Sequence, residues 1–301
     1  GSEMCIRDRF EIVGVKPELA EQQVQKKANR WYDTIPWLSV IILILIVGGC
    51  LFCNRIMTKD PSYMDLKNYT IAPCKEFLFG TDTMGRDIFS MIWYGGRQSL
   101  FIGIAATVIS AGIAIVFGTV SGMAPDWLDM LLMRATEILL SIPNLLTVIF
   151  LQAILGKANV FSLSFVIGIT SWMSIAKIIR TEVRQLRNNE YVIAARCMGG
   201  GFFYILYKHL APNFLSSIMF MVVMNIRSAI VEESTLSFIG IGLPLEVISW
   251  GSMLSLSEKA LLTGAWWIIL IPGVFLVVTL LCITSIGDCI RKKLNKQESN
   301  L

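Results

Sequence analysis

The sequence predicts an all-α membrane protein with six transmembrane helices and with both termini in the cytoplasm. Composition is the first reason: of 301 residues, 54% are hydrophobic and only 16% are charged, and the mean hydropathy is +0.64. These values lie outside the range of ordinary soluble domains. The second reason is that apolar runs long enough to cross a bilayer recur along the chain. The third is an uneven distribution of basic residues, which sets the orientation.

Six apolar runs are predicted to span the bilayer, at residues 35–57, 99–123, 128–155, 160–179, 214–243 and 264–286. The stretch between the first two runs holds Pro61, Pro73 and the turn-rich sequence GTDTMGRD, so it is expected to be an external loop or a small lateral helix. The chain should therefore divide into a cytoplasmic N-terminal segment (1–34), a first transmembrane helix with its external loop (35–97), a main transmembrane domain (98–287) containing a cytoplasmic loop (180–213), and a cytoplasmic tail (288–301).

The orientation follows from the Lys and Arg residues. With the N-terminus inside, sixteen of them fall on the cytoplasmic side and eight on the other side. Cytoplasmic loops of membrane proteins carry such an excess. Arg134 and Arg227 remain within predicted spans, and Arg134 can pair with Glu137, three residues further along the same helix.

Two spans carry packing signals. Small residues recur every fourth position in the second span, which predicts a face that another helix backbone can approach closely. They are Ala106, Ser110, Ala114, Gly118 and Gly122. In the third span, Pro143 is expected to kink the helix, because proline cannot donate the helical hydrogen bond.

Several kinds of chemistry are disfavoured. The chain has one histidine, and the C-x-x-C of Cys50 and Cys53 lies inside an apolar run, so neither catalytic nor metal-ligating residues are predicted. The net charge of +4 reflects membrane topology and does not indicate nucleic-acid binding. No phosphate-binding G-x-x-x-x-G-K-S/T motif occurs, so the chain is not expected to hydrolyse ATP.

The cytoplasmic loop 180–213 has the pattern of a short capped helix. Asn189 can cap it, Glu190 falls in its first turn, and Gly199 ends it. Tyr191, Ala194, Ala195 and Met198 are predicted to share one face. A helix this short is unstable alone in water, so its apolar face needs a surface to dock against, either a protein partner or the lipid headgroups. A second helix, residues 202–211, is expected to stop at Pro212.

The fifth span contains polar and charged residues that are costly inside a membrane without partners or water. They are Asn225, Arg227, Ser228, Glu232, Glu233 and Thr235. Their helical spacing does not allow Arg227 to pair with both glutamates. We therefore hypothesise that this face borders a translocation path; the alternative is a structural salt bridge between subunits.

The segment EYVIAARCMGGGFFYILYKHLAPN (190–213) resembles the EAA loop of ABC importer permeases. Ala194, Ala195, Gly199 and Pro212 fall at matching positions, whereas Ile193, His209 and Ala211 depart from the pattern. Five further segments are similar to the C-type permease subunit of dipeptide, oligopeptide and nickel importers: GTDTMGRDIFSMIWYGGRQSL, RATEILLSIP, EESTLSFIGIGLP, SWGSML and GDCIRKKL. They occur in order between residues 80 and 294.

The resemblance implies a MetI-like permease fold in a bacterial inner membrane. It implies a non-catalytic subunit that binds no cofactor and works with a second homologous permease, two ABC ATPase subunits that carry ATP and Mg, and an extracytoplasmic substrate-binding protein that delivers peptides. The residues it places at the ATPase-coupling loop are Glu190, Tyr191, Ala194, Ala195, Arg196, Gly199, His209 and Pro212. The alternatives are a permease of this type for nickel or another small solute, an ion-coupled secondary transporter, and a membrane-embedded enzyme.

Overall fold

The computed structural model describes residues 36–298 except 245, 257–259 and 261–262. The chain divides into the unit Gly1–Trp37, most of which lies outside this description, and the unit Leu38–Leu301. The predicted cytoplasmic segment 1–34 and the end of the predicted tail, residues 299–301, are also outside the described residues.

The described residues form helices joined by short connections, which confirms the all-α class. The helices are α1 (Trp37–Leu51), α2 (Cys53–Ile56), α3 (Ile88–Met123), α4 (Asp126–Ser141), α5 (Asn144–Leu155), α6 (Val160–Leu186), α7 (Glu190–Cys197), α8 (Phe202–Ile205), α9 (Ala211–Ile239), α10 (Trp250–Leu254) and α11 (Trp267–Glu298). Across the described residues, β pairing is limited to an isolated bridge between Thr81 and Asp87.

Length and apolar composition identify three helices that can cross a membrane: Ile88–Met123, Val160–Leu186 and Trp267–Lys293. The pair α4 and α5 makes a fourth if it is counted as one span, although it is bent by 88°. The break falls at Ile142 and Pro143, so the predicted kink is confirmed and is in fact a sharp corner. Six spans and the orientation of the termini remain predictions.

The helix α3 begins well before the predicted start at residue 99, and the expected loop boundary at 97 falls inside it. Asp87 caps the helix: its Oδ2 accepts hydrogen bonds from the backbone N–H and the hydroxyl of Ser90, at 3.1 and 2.6 Å. The early turns are held by burial of Ile88, Met91 and Ile92. Hydropathy alone missed this segment because tertiary contacts, and not lipid, bury its apolar side chains.

The small-residue face of α3 packs closely against α6, as predicted. All five residues of the face are buried. A Cβ added at Gly118 would lie 2.7 Å from the carbonyl oxygen of Ala176, and one at Gly122 would lie 2.7 Å from Cγ1 of Val183. The two backbones can approach only because these positions carry no side chain.

Pro212 does not stop the helix that precedes it, which corrects the sequence-based expectation. Residues Leu206–Leu210 form a π-helical turn, and α9 follows directly from Ala211 with the proline in its first turn. Within the turn, Ala211 donates its N–H to the carbonyl oxygen of Leu206. Because a proline is tolerated in the first turn of a helix, this change of register lets the chain continue into the fifth predicted span.

The helix α9 ends at Ile239, earlier than the predicted limit at residue 243. Gly240 adopts a φ of +84°, a left-handed conformation suited to glycine, and donates its N–H to the carbonyl oxygens of Leu236 and Ser237. A short connection then leads to α10, whose first turn is closed by a capping box of Ser249 and Ser252.

Candidate functional site

The helix α7 forms where the capping pattern places it. The carbonyl oxygen of Asn189 accepts hydrogen bonds from the N–H groups of Val192 and Ile193, at 3.0 and 3.1 Å. The side-chain amide of Asn189 donates to the Tyr191 hydroxyl at 3.3 Å. Glu190 opens the helix, where the exposed N–H groups favour an acidic residue.

The predicted glycine stop of α7 is also present. Gly199 has a φ of +82°, and the N–H of Gly200 reaches back to the carbonyl oxygen of Ala195 at 2.9 Å. This reversed bond across a left-handed residue closes the open carbonyls at the end of the helix. The helix is thus defined at both ends by its own sequence.

The residues of α7 that are buried are not those of the predicted apolar face. Val192 and Ala195 are buried, whereas Glu190, Ala194 and Met198 are exposed. Ala195 therefore does not share the exposed face with Tyr191, Ala194 and Met198, which is a correction. Ala195 is three residues after Val192 and four after Tyr191, so helical spacing places it between the two sides. Packing against the other helices of this chain decides that it is covered.

The buried side of α7 joins it to the long helices. Val192 and Ala195 belong to one apolar cluster with residues of α3, α6, α8, the π-helical turn and α9. Its other members are Ala114, Ile175, Ala176, Ile179, Val183, Ile205, Leu210, Phe214 and Ile218. Because interiors are close-packed, a displacement of α7 must move or rearrange these helices.

Exposed apolar side chains lie on the outer side of α7 and on the segment that follows it. Met198 is 82% exposed, Phe203 80% and Tyr207 84%. With Tyr191 and Ala194 they make up what we call the α7 surface. Exposed apolar groups of this size mark contact sites for proteins or membranes. The predicted loop residues Arg196, His209 and Pro212 lie in helical backbone, and their side chains are outside the described part of the structure.

A group of charged residues joins α4 to the part of α6 that precedes α7 in the sequence. Arg180 donates from Nε to Asp129 Oδ1 at 2.9 Å, and its Nη2 and the Nη1 of Arg184 contact the other oxygen, Oδ2. Arg184 also pairs with Asp126, and Ser121 donates to Asp129 Oδ1 at 2.6 Å. We call Asp126, Asp129, Arg180 and Arg184 the charge cluster.

Next to the charge cluster, Arg187 binds the end of α3. Its Nη1 donates to the carbonyl oxygens of Gly122 and Ala124, at 3.1 and 3.2 Å. A guanidinium at this place satisfies open carbonyls and suits the negative end of the helix dipole. Three helices are therefore tied together directly before α7 begins.

A cavity of about 360 Å³ lies where α4 and α5 meet α6 and α9. Its polar lining consists of Asn144, Thr147, Thr170, Ser171, Ser174, Asn225, Ser228 and Glu232. Three of the residues predicted for a translocation path, Asn225, Ser228 and Glu232, thus come together at one cavity. We call it the polar cavity.

The two adjacent glutamates of α9 have different surroundings. Glu232 Oε1 accepts a hydrogen bond from Asn144 Nδ2 at 2.7 Å, and its Oε2 is buried with no hydrogen-bond donor among the described residues. Glu233 is fully buried and away from the polar cavity. Its carboxylate accepts from the hydroxyls of Ser99, Ser234, Ser237 and Ser249, at 3.0, 3.4, 3.0 and 2.7 Å.

The remaining predicted path residues do not line the polar cavity. Thr235 donates its hydroxyl to the carbonyl oxygen of Val231 at 2.7 Å. Arg227 Nε is buried without an acceptor among the described residues. The described ion pairs do not join Arg227 to either glutamate, in agreement with the helical spacing.

Sequence reasoning missed the charge cluster and Asn144. A usable signal was present for the first, because Asp126 and Asp129 open a helix three residues apart while Arg180 and Arg184 are four apart on another helix. For Asn144 the only signal was its position after Pro143. The serines around Glu233 come from residues 99 to 249, and nothing in their spacing indicated a common site.

Comparison with known proteins adds the family. Residues 114–297 match the family described as "Binding-protein-dependent transport system inner membrane component". The chain is 34% identical to the oligopeptide transport system permease protein OppC of Bacillus subtilis (strain 168), over 96% of this chain and 97% of that protein. It is 34% identical to the dipeptide transport system permease protein DppC of the same organism, over 86% and 79%. It is 36% identical to OppC of Haemophilus influenzae, over 87% and 82%.

Proposed function

The chain belongs to the family of binding-protein-dependent transport system inner membrane components, and from that premise we propose how it works within an importer. It is a multi-pass inner-membrane permease subunit of a peptide ABC importer. In our proposal it carries no catalytic residue and binds no cofactor, and ATP with Mg is held by partner subunits. The peptide comes from an extracytoplasmic binding protein.

The observation that carries the coupling proposal is the two-sided packing of α7. Its inner side, Val192 and Ala195, is part of a close-packed cluster with three long helices. Its outer side exposes Ala194 and Met198. An ATPase subunit that binds the α7 surface could therefore move the helices as rigid bodies when it binds and hydrolyses ATP. Glu190, Tyr191, Ala194, Met198 and Gly199 make or shape that contact in this proposal.

The membrane arrangement is proposed with six spans and with α7 in the cytoplasm. The excess of Lys and Arg on that side supports the orientation. A second, homologous permease completes the path, and the polar cavity of this chain contributes Asn225, Ser228 and Glu232 to it. Arg227, Glu233 and Thr235 do not line the polar cavity. In our proposal Arg227 keeps a place beside the path outside this cavity, and a contact between subunits is the alternative.

Copurification tests the coupling proposal. Ala194→Arg places a charge on the exposed side of α7 without entering the core, so we expect the ATPase subunits to dissociate while the permease stays folded. Glu246→Arg, at an exposed residue between α9 and α10, is the control and should keep them. If Ala194→Arg retains the ATPase subunits and normal uptake, α7 is not the contact.

Peptide uptake tests the substrate. Cells that lack their other peptide importers should take up a labelled dipeptide or tripeptide only when this chain and its partner genes are expressed. Uptake of nickel ions without uptake of peptide would favour the alternative solute. Transport by the purified chain alone, under an ion gradient, would contradict the ABC importer mechanism.

A further inference from the structure

The polar cavity contains a carboxylate that is only partly satisfied. Glu232 Oε1 is held by Asn144 at 2.7 Å, but Oε2 is buried and has no donor among the described residues. A buried acceptor without a donor is costly, more so when it is charged, and such atoms are therefore rare in native proteins. Glu232 lines the polar cavity, so a molecule that enters the cavity can supply the missing donor.

The adjacent residue Glu233 shows that a carboxylate oxygen without a donor is specific to Glu232. Glu233, one residue later, accepts hydrogen bonds from four serine hydroxyls and lies in the interior. Its contacts join α3, α9 and the start of α10 and leave no space for a ligand. The fold therefore supplies hydrogen-bond donors to both oxygens of Glu233, whereas Glu232 lines the cavity with one oxygen that has no donor among the described residues.

The lining of the polar cavity offers no internal partner for Glu232. Among the described lining residues there is no Lys, Arg or His. Two of the lining residues donate elsewhere: Thr170 donates to the carbonyl oxygens of Val166 and Ile167 of its own helix, both at 3.0 Å, and Asn225 donates to Ser110 of α3 at 2.9 Å. Glu232 is therefore the one ionisable side chain in the described lining, and its charged form makes the site anionic.

The size and charge of the cavity indicate the class of ligand. A volume of about 360 Å³ is at the lower end of the range of small-molecule sites. A primary ammonium group has three N–H donors and a positive charge, which match a carboxylate with a free, desolvated oxygen. Peptides with an unmodified N-terminus carry such a group, except those that begin with proline.

We propose that Glu232, oriented by Asn144, forms a subsite that binds the α-ammonium group of the peptide during its passage. The inference rests on the proposed function and assigns a specific contact within it. Asn144 is the positioning residue, because its amide holds Oε1 and leaves Oε2 to the ligand. It stands directly after the corner at Pro143, so a change of the angle between α4 and α5 would move Asn144 and weaken the subsite, which favours release.

Photocrosslinking within the assembled importer tests this subsite. A benzoylphenylalanine at Thr147, which lines the polar cavity, is used to capture tritiated tri-alanine or its N-acetylated form in nanodiscs. Both are supplied in excess without the binding protein, so that its selectivity does not enter. We expect the free peptide to be captured about fivefold more than the acetylated one, the ratio typical of a partly hydrated ion pair worth about 1 kcal/mol.

Two variants test whether the Glu232 carboxylate causes the preferred capture of the free peptide. Glu232→Gln, which keeps the shape and removes the charge, should abolish it, and Glu232→Asp should keep part of it. Glu246→Gln is the matched control on an exposed residue and should change nothing. Equal capture of the two peptides by the unmodified subunit would overturn the proposal, and so would a preference that survives in Glu232→Gln. Loss of the second permease from Glu232→Gln complexes would also overturn it, since Oε2 would then serve a contact between subunits.

The test separates this inference from the proposed function. If the complete importer takes up tri-alanine but shows no dependence on Glu232, only the subsite is wrong. If the importer takes up no peptide and neither peptide is captured at Thr147, the function itself is wrong.

Discussion

The Ser249 hydroxyl donates a hydrogen bond of 2.7 Å to Oε1 of Glu233, and this contact joins the start of α10 to α9. On the other oxygen, Ser99 of α3 donates at 3.0 Å and its hydroxyl also accepts the N–H of Trp250 at 3.2 Å. One buried carboxylate thus holds three separate parts of the chain together. Since no basic residue pairs with it among the described residues, the hydroxyls alone stabilise it.

Replacing Glu233 should destabilise the protein. Glu233→Ala leaves the serine hydroxyls buried without their acceptor, and hydrogen bonds to a charged group are individually worth about 1.5–3 kcal/mol. We expect the free energy of unfolding to fall by about 2–4 kcal/mol, because removing the carboxylate also removes the cost of burying it, which offsets part of the lost hydrogen bonding. Melting of the detergent-solubilised protein, followed by tryptophan fluorescence, measures it.

The control for this variant is Glu246→Ala, because Glu246 is exposed and should leave Tm unchanged. A Glu233→Ala protein with the Tm of the unmodified chain would show that the serine contacts do not stabilise the fold.

Two glycines of α3 provide a matched pair for testing helix packing. At Gly118 a new Cβ would lie 2.7 Å from the carbonyl oxygen of Ala176, whereas at Gly112 there is nothing within 4 Å. Gly118→Ala should cost about 1–3 kcal/mol through overpacking against α6. Gly112→Ala should be neutral or stabilise by up to about 1 kcal/mol, because alanine favours helix. Thermal melts of both variants decide; equal Tm values would contradict the close approach of α3 and α6.

The charge cluster should matter more than an exposed ion pair on the same helix. The Asp129 side chain is 3% exposed and contacts two arginines, whereas Glu137 is 48% exposed and pairs with one, Arg134. Asp129→Asn should cost about 1–3 kcal/mol, discounted because both arginines are partly hydrated. Glu137→Gln should cost less than about 1 kcal/mol. Tm values, measured at low and high salt, should fall more for Asp129→Asn than for Glu137→Gln. A larger fall for Glu137→Gln would contradict the prediction.

Coupling should also suffer in Asp129→Asn, since the charge cluster lies directly before α7. We expect the ratio of peptide transported to ATP hydrolysed in the reconstituted importer to fall, with the ATPase subunits still bound. An unchanged ratio would limit the cluster to a structural role.

Arg227→Ala should reduce transport while the complex still assembles. The buried Nε of Arg227 has no acceptor among the described residues, so its partner is expected from outside them, in water or in another subunit. Uptake and copurification of the second permease are measured together. If that permease is lost from the complex, Arg227 belongs to a contact between subunits. Lys67→Ala, at an exposed residue between α2 and α3, is the control.

Much of the fold could be predicted because local signals were strong. Long apolar runs identified α3, α6 and α11, since a bilayer requires helices of that length. The small-residue repeat identified the face of α3 that meets α6, and Pro143 identified the corner between α4 and α5. Where the prediction failed, as at the start of α3 and at Pro212, a cap or a π-helical turn changed the helix limits without altering hydropathy.

The candidate site was only partly predictable for a related reason. Asn189, Glu190 and Gly199 predicted the limits of α7, and the structure places the helix at Glu190–Cys197. The described side-chain hydrogen bond of Asn189 goes to the Tyr191 hydroxyl, so a side-chain cap by Asn189 stays a prediction. The assignment of Ala195 to the exposed face failed, because which side of a short helix is covered depends on α3, α6 and α9 and not on α7 itself.

The sequence by itself determined that this chain lies in a membrane, where its main helices are, and that a short capped helix separates two of them. These properties depend on hydrophobic length and on neighbouring residues. Only the tertiary structure decided which polar groups are satisfied: Glu232 and Glu233 are identical and adjacent, yet one meets four serines and the other a cavity. In a dry interior a carboxylate is stabilised by the donors that the fold brings to it, and these come from positions far apart in the chain.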